Sequence, residues 1–168
     1  MSGSEFDPLL AFRVLTRHSV RFVVIGGYAA SLRGSPVVTG DLDVCYARDE
    51  ENHERLAAAL RELRARLRGP GVPDDIPFIL DAETIRTGDH FTFATDGGSL
   101  DCMGTPAGTT GFADLDARAD TVQLDGMEVR VASVDDLIRM KEAAAREKDR
   151  SHLIHLRALR QEIERGES

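Results

Sequence analysis

Two aspartates one residue apart, Asp41-Leu42-Asp43, follow a Gly26-Gly27 pair by thirteen residues, and a third, Asp101, lies between Leu100 and Cys102. In an extended strand alternate side chains share a face, so Asp41 and Asp43 project together, about 7 Å apart along the backbone. Two ionised carboxylates at ~5 Å repel by roughly 3 kcal/mol at an effective dielectric near 20, a cost that a fold offsets with a divalent cation or a proton. A metal is the better explanation. Oxygen ligands without His or Cys select a hard ion, Mg2+ or Mn2+, and Mg2+ commonly keeps waters and takes substrate phosphates as its remaining ligands.

The glycine pair supplies the other half of such a site. Without a Cβ, Gly26 and Gly27 let a phosphate approach backbone N–H groups, and a helix starting near Tyr28 presents its positive end to the same anion. A lone Gly-Gly pair is more simply a tight turn with positive φ; the carboxylates downstream favour the phosphate reading. A triphosphate could bridge both halves.

These residues need elements to hold them. Phe6 to His18 carries apolar residues at helical spacing after Asp7-Pro8, a favourable cap and first-turn pair. The β-branched and aromatic run Arg21–Ile25 predicts a buried strand ended by the glycines, with a short helix from Tyr28 to Arg33. Asp41–Tyr46 predicts a second strand. Asp49-Glu50-Glu51 opens a long helix whose stripe runs through Leu56, Leu60, Leu63 and Leu67 to Gly69-Pro70; its arginines, Arg55, Arg61, Arg64, Arg66 and Arg68, read as a solvated face. A short segment at Asp81–Arg86 precedes two hairpins, signalled by Asp96-Gly97-Gly98 and Asp125-Gly126. Ser133 and Asp136 form a capping-box pattern for a helix to about Arg146, and a last helix covers about Lys148–Ile163.

Mixed α and β content without repeats predicts a single α/β (α+β) domain over 1–168, with a core at about 20–132 and a helical part at about 133–165. The chain carries 21 Lys and Arg against 29 Asp and Glu, a formal charge of -8, which repels polyanions and favours small or protein substrates over a surface that tracks nucleic acid. No apolar run approaches the roughly 18 residues of a membrane span, and the amino end lacks a secretory pattern, so a cytoplasmic protein without a membrane anchor is expected. Cys45 and Cys102 read as reduced, buried thiols facing opposite sides of the sheet. The five histidines show no metal spacing and receive no role.

Gly26-Gly27, thirteen intervening residues and Asp41-Leu-Asp-Val44 resemble the glycine turn and paired acids of the DNA polymerase beta-like nucleotidyltransferase superfamily. Within it the chain is similar to small bacterial nucleotidyltransferase proteins related to type IV (AbiE-like) toxin-antitoxin and HEPN-associated enzymes. The similarity continues through Leu100–Gly108, Leu124–Ser133 and Asp136–Asp149, covering roughly residues 20 to 160. It implies an incomplete twisted sheet flanked by helices, Asp41 and Asp43 as metal ligands, and Asp101 as the third acid, holding the metal and orienting or deprotonating the attacking hydroxyl. It further implies nucleotide contacts from Gly26, Gly27, Thr39, Lys141 and Lys148, with Arg146 and Asp149 in the same basic-acidic segment. Val37-Val38-Thr39-Gly40 lacks the Arg that many members place two residues before the Thr, and Ala145-Arg-Glu-Lys-Asp149 replaces a frequent Gly-Arg-Pro-Lys-Asp.

The activity so implied is Mg2+-dependent transfer of a nucleoside monophosphate from an NTP to a hydroxyl, releasing pyrophosphate. The acceptor is left open among a small molecule, a partner protein (a HEPN-type or other toxin) and a tRNA or other RNA end. A one-domain enzyme of this size leaves the acceptor side of its cleft uncovered, so a homodimer or hetero-complex is expected. The competing reading is an antitoxin-like or degenerate domain that binds a nucleotide or a partner without turnover.

Overall fold

A computed structural model describes residues 5–69, 80–144 and 147–166, without the side chains of 147–149. The β-branched run Phe22–Ile25 forms β1 and sits in the interior of a seven-stranded mixed sheet, because all four of its side chains are buried. In chain order the elements are α1 (Pro8–Arg17), β1, α2 (Gly26–Leu32), β2 (Asp41–Tyr46), α3 (Glu50–Glu62), β3 (Arg66–Arg68), α4 (Ala82–Thr87), β4 (His90–Thr95) and β5 (Gly98–Met103). They continue with α5 (Phe112–Asp116), β6 (Asp120–Leu124), β7 (Met127–Val131), α6 (Val134–Ala144) and α7 (Glu147–Gly166). Across the sheet the order is β3-β4-β5-β2-β1-β7-β6. β2 runs parallel to β5 and antiparallel to β1, and β1 is parallel to β7.

Register assigns each side chain a face. Leu67, Phe93, Leu100 and Leu42 stand in one row across β3, β4, β5 and β2, and the last three are fully buried. The same face carries Phe22, stacked on Phe12 of α1, and Tyr46, edge-on to His53 of α3, so α1 and α3 cover it. The opposite face carries Asp41, Asp43, Ser99 and Asp101. Val44 pairs with Cys102 and Cys45 with Met103, so the two buried, free thiols lie on opposite faces, as expected.

Local chemistry explains several element ends. Asp7 and Asp49 cap α1 and α3 through bonds from the N–H groups of Leu10 and Asn52. Asp125 and Gly126, both at positive φ, close the β6–β7 hairpin. Ser133 Oγ accepts from Asp136 N at 3.1 Å, whereas the Asp136 carboxylate turns away to Arg118, so only half of the expected capping box forms.

Two expectations are corrected. The third helix does not extend to Arg68. It stops at Glu62, Arg64 takes φ 52, and Arg66–Arg68 becomes an edge strand on β4, with Leu67 opposite Phe93. Burial of Leu67 on an aromatic row outweighs its helical spacing, and Asp96 N locks the break by donating to Leu63 O at 2.9 Å. Likewise, α2 begins at Gly26 rather than near Tyr28. Arg33 at its end donates to Ala132 O and Val131 O at 3.0 and 2.9 Å, which ties the helix to β7. Among the described residues no helix is long and apolar enough to cross a membrane.

Candidate active site

Asp43 and Asp101 occupy paired positions on neighbouring parallel strands, where Cα atoms of adjacent strands lie about 5 Å apart. Their carboxyl groups therefore stand side by side on one face of the sheet. The Asp43 pKa is accordingly raised to about 7, first by burial, then by the charge and hydrogen bond of Asp101, with a smaller push from Asp41. Lys141, on α6, opposes the shift with its positive charge. Asp41 stands two residues earlier on the same face and is exposed at the start of β2.

The glycines explain how this pair fits against the turn. A Cβ at Gly26, whose φ is 71, would collide with Asp43 Oδ2, so only glycine lets the carboxylate rest on the β1–α2 junction. A Cβ at Gly27 would lie 3.1 Å from Thr39 Cβ. Thr39 Oγ1 in turn accepts from Asp41 N and donates to Asp41 O, both at 3.3 Å, so its hydroxyl is committed to the backbone of the first acid.

A cavity of about 360 Å³ opens beside these groups. Gly26, Gly27, Asp43 and Lys141 line one side, Ile25, Met103, Leu137, Met140 and Leu156 give apolar walls, and Asp89, His90, Thr105 and His152 add polar groups. Its size suits a small organic ligand. His90 and His152 had no assigned role in the sequence because their placement depends on non-local packing.

Two ion-pair networks missed in the sequence hold the walls. Arg48 Nη1 donates to Gly88 O at 2.7 Å, Asp89 Oδ1 at 3.0 Å and the Tyr46 hydroxyl at 3.2 Å. Asp89 then accepts from Thr105 N and Thr105 Oγ1 at 3.2 and 3.1 Å, fixing the loop after β5. On the other side, Arg118 of the segment after α5 and Arg139 of α6 share Asp114 and Asp136. Hydrogen bonds from Arg118, Thr110 and Arg139 hold the Asp114 carboxyl well below the usual range, and Asp136 is only 3% exposed. The network anchors the helix that carries Lys141. No local motif marks it, since Arg118 and Asp136 lie 18 residues apart.

Among the described residues no three His, Cys, Asp or Glu side chains are gathered tightly enough to hold a metal ion. The structure thus brings Asp43 and Asp101 together beside Gly26 and places Asp41 at their margin. Arg146 and the side chain of Lys148 lie outside the described residues.

No protein-family model and no curated protein sequence matches the chain. Solved structures do. A candidate nucleotidyltransferase from Thermotoga maritima, TM1012, matches with a TM-score of 0.51 over 96% of this chain and 97% of its own, at 18% identity. Lincosamide antibiotic adenylyltransferase LnuA, with lincomycin bound, matches at 0.59 over 93% and 99%, at 11% identity. ANT(2'')-Ia, in complex with adenylyl-2''-tobramycin, matches at 0.57 over 93% and 87%, at 16% identity.

The chain has the nucleotidyltransferase fold. The mixed sheet flanked by helices agrees with the expected fold class. In this nucleotidyltransferase fold the acid pair, the glycine junction and Lys141 share one end of the sheet face beside the cavity.

Proposed function

We propose that the protein is a Mg2+- or Mn2+-dependent nucleotidyltransferase that moves a nucleoside monophosphate from an NTP to an acceptor hydroxyl and releases pyrophosphate. The observation that carries this reading is the Asp43–Asp101 pair, register partners on β2 and β5 with Asp43 seated against Gly26, in a fold matched by nucleotidyltransferase structures.

The donor set fits a hard divalent ion. Asp43 and Asp101 set two carboxylates side by side, where a cation would neutralise both, and Asp41 stands two residues before Asp43 on the same strand face. Asp41, Asp43 and Asp101 would hold the ion, which when bound supplies charge neutralisation at the transferring phosphate and lowers the pKa of the attacking hydroxyl. The residues of the chain do the rest. Gly26 and Gly27 leave room for phosphate oxygens at the β1–α2 junction, and Lys141 brings a positive charge to the same end. The acceptor oxygen bonds to the α-phosphorus as the bond from that phosphorus to the β-phosphate bridging oxygen breaks. The bonding pair leaves with pyrophosphate, and Asp101 is placed to take the hydroxyl proton. The apolar cavity receives an organic group flanking the reacting phosphate.

LnuA and ANT(2'')-Ia are antibiotic-modifying by name or bound ligand, which supports a small-molecule acceptor among the classes considered. Calorimetry with each NTP and Mg2+, followed by pyrophosphate release in the presence of bacterial extract as acceptor source, tests the reading. The expected result is Mg2+-dependent NTP binding that falls at least tenfold in Asp43→Asn and Asp101→Asn, with pyrophosphate release lost in both. Mg2+-dependent binding without release from any extract would favour a binding module, and NTP binding unchanged in both variants would remove these carboxylates from the site.

A further inference from the structure

The face that carries the acids continues outward to an unexpected pair of cations. Arg68 of β3 pairs with Thr92 of β4, Thr92 with Asp101 of β5, and Asp101 with Asp43 of β2, so these four side chains stand in one row on one face. Arg66 and Ser99 lie on that face in the adjacent row, with Asp41. Arg66 and Arg68 are both exposed, and among the described residues neither forms an ion pair with a carboxylate. Arg68 Nη1 reaches Ser99 Oγ at 3.4 Å, so its side chain extends over β4 towards β5, and Ser99 stands about 7 Å from Asp101 along the strand.

In-line phosphoryl transfer requires the attacking and leaving oxygens to lie on opposite sides of the phosphorus. Gly26, Gly27 and Lys141 occupy the side of Asp43 that faces β1 and α6, which assigns the leaving pyrophosphate to that side. The acceptor then approaches over Asp101, β4 and β3, where Arg66 and Arg68 stand. Guanidinium groups with free donors are suited to bidentate recognition of phosphate or carboxylate and repel a cationic acceptor.

We propose that Arg66 and Arg68 recognise an anionic group of the acceptor, a phosphate or a carboxylate, about 7 to 10 Å from the hydroxyl that is modified. The inference rests on the nucleotidyl-transfer reading above and adds the acceptor's charge to it. Charged residues on an edge strand also deter pairing with other chains, and that role alone would require no anion.

The test uses the full chain and follows arginine Nε–Hε resonances by NMR while methyl phosphate or acetate is titrated, with and without Mg2+ and a non-hydrolysable NTP analogue. The expected result is saturable shifts of Arg66 and Arg68, with affinity falling at least tenfold in the Arg66→Gln/Arg68→Gln variant while calorimetry gives the same affinity for the NTP analogue. Tighter binding of methyl phosphate would assign a phosphorylated acceptor, and tighter binding of acetate a carboxylated one. Absence of saturable shifts, or equal anion affinity in the variant, would overturn the proposal. So would a loss of NTP binding in the variant, which would place the arginines on the donor side. If the wild-type chain binds no NTP analogue, the reading of the acid centre fails, and the nucleotide-free titration still reports whether the arginines bind an oxyanion.

Discussion

Asp43 and Asp101 face each other as register partners across the β2–β5 ladder, with Gly26 filling the position where any other residue would displace Asp43. This arrangement makes the acid centre a source of strain in the metal-free protein. Burial and the Asp101 charge raise the Asp43 pKa from 3.8 to about 7, so between those values the folded chain holds a proton that the unfolded chain releases. The Asp43 contribution to stability therefore falls as pH rises through that window and is lowest above it.

Asp43→Asn removes the charge while keeping a hydrogen-bonding side chain. In EDTA at pH 8 the variant is expected to be more stable than the wild type by on the order of 2 kcal/mol, a gain of about 4–8 °C in Tm, and the gain shrinks at pH 5. Mg2+ should raise the Tm of the wild type at pH 8 and leave the variant nearly unmoved. Thermal melts at the two pH values, with and without Mg2+, check this. A wild type more stable than the variant in EDTA at pH 8 would contradict the assigned sign.

Gly26 carries two separable demands, its φ of 71 and the space taken by Asp43. Gly26→Ala meets both penalties and should destabilise the fold by about 1–3 kcal/mol and weaken Mg2+-NTP binding at least tenfold. In the Gly26→Ala/Asp43→Ala double variant the steric part disappears, leaving only the backbone cost. Denaturant titration of the four proteins in this cycle should give a coupling energy on the order of 1 kcal/mol or more. Additive effects would mean that the carboxylate does not press on the junction.

Much of this was legible because its signals are local. Asp41–Val44 alternates polar and apolar residues, the Asp-Gly turns fix both hairpins, and Asp7 and Asp49 announce their helices within one turn. Arg66–Arg68 was misread because Leu67 continues a helical stripe on paper, while its strand state depends on Phe93, a partner 26 residues away. Separations of 41 and 16 residues likewise hide Arg48–Asp89–Thr105, which shapes the cavity. The glycine pair was legible as a turn, but its contact with Asp43 was not, since steric exclusion between β1–α2 and β2 has no sequence period. Asp41 and Asp43 were readable as sharing a face, and the family resemblance pointed to Asp101; that Asp43 and Asp101 would pair and leave Asp41 at the rim follows from which strands are neighbours.

Cys45 and Cys102 give a check on the sheet itself. Both are buried and free, Cys45 Sγ donates to Gly104 O at 3.6 Å, and burial pushes both thiols up, Cys45 to about 12. Thiol reagent at pH 8 should therefore label neither in the native state and both after denaturation. Rapid native labelling of one cysteine would show that its face of the sheet is open.

Asp136 ties the acid centre's helix to the rest of the fold. Its nearly inaccessible carboxylate accepts from Arg118 at 3.0–3.2 Å and lies 3.2 Å from Arg139, whose Nε is buried and has no partner among the described residues. Asp136→Asn removes the negative charge and leaves two guanidinium groups sharing only Asp114. The partial exposure of both arginines lowers the penalty from the buried-pair range to about 2–3 kcal/mol, which denaturant titration would read directly. Because α6 also carries Lys141, the loss should extend to nucleotide affinity by several-fold even where the protein is fully folded. Arg139→Lys preserves charge but not the planar guanidinium whose Nη2 lies between Asp114 and Asp136, so it should lie between wild type and Asp136→Asn in both measurements. A stability loss in Asp136→Asn with unchanged Mg2+-NTP affinity would show that the network supports the fold without positioning Lys141.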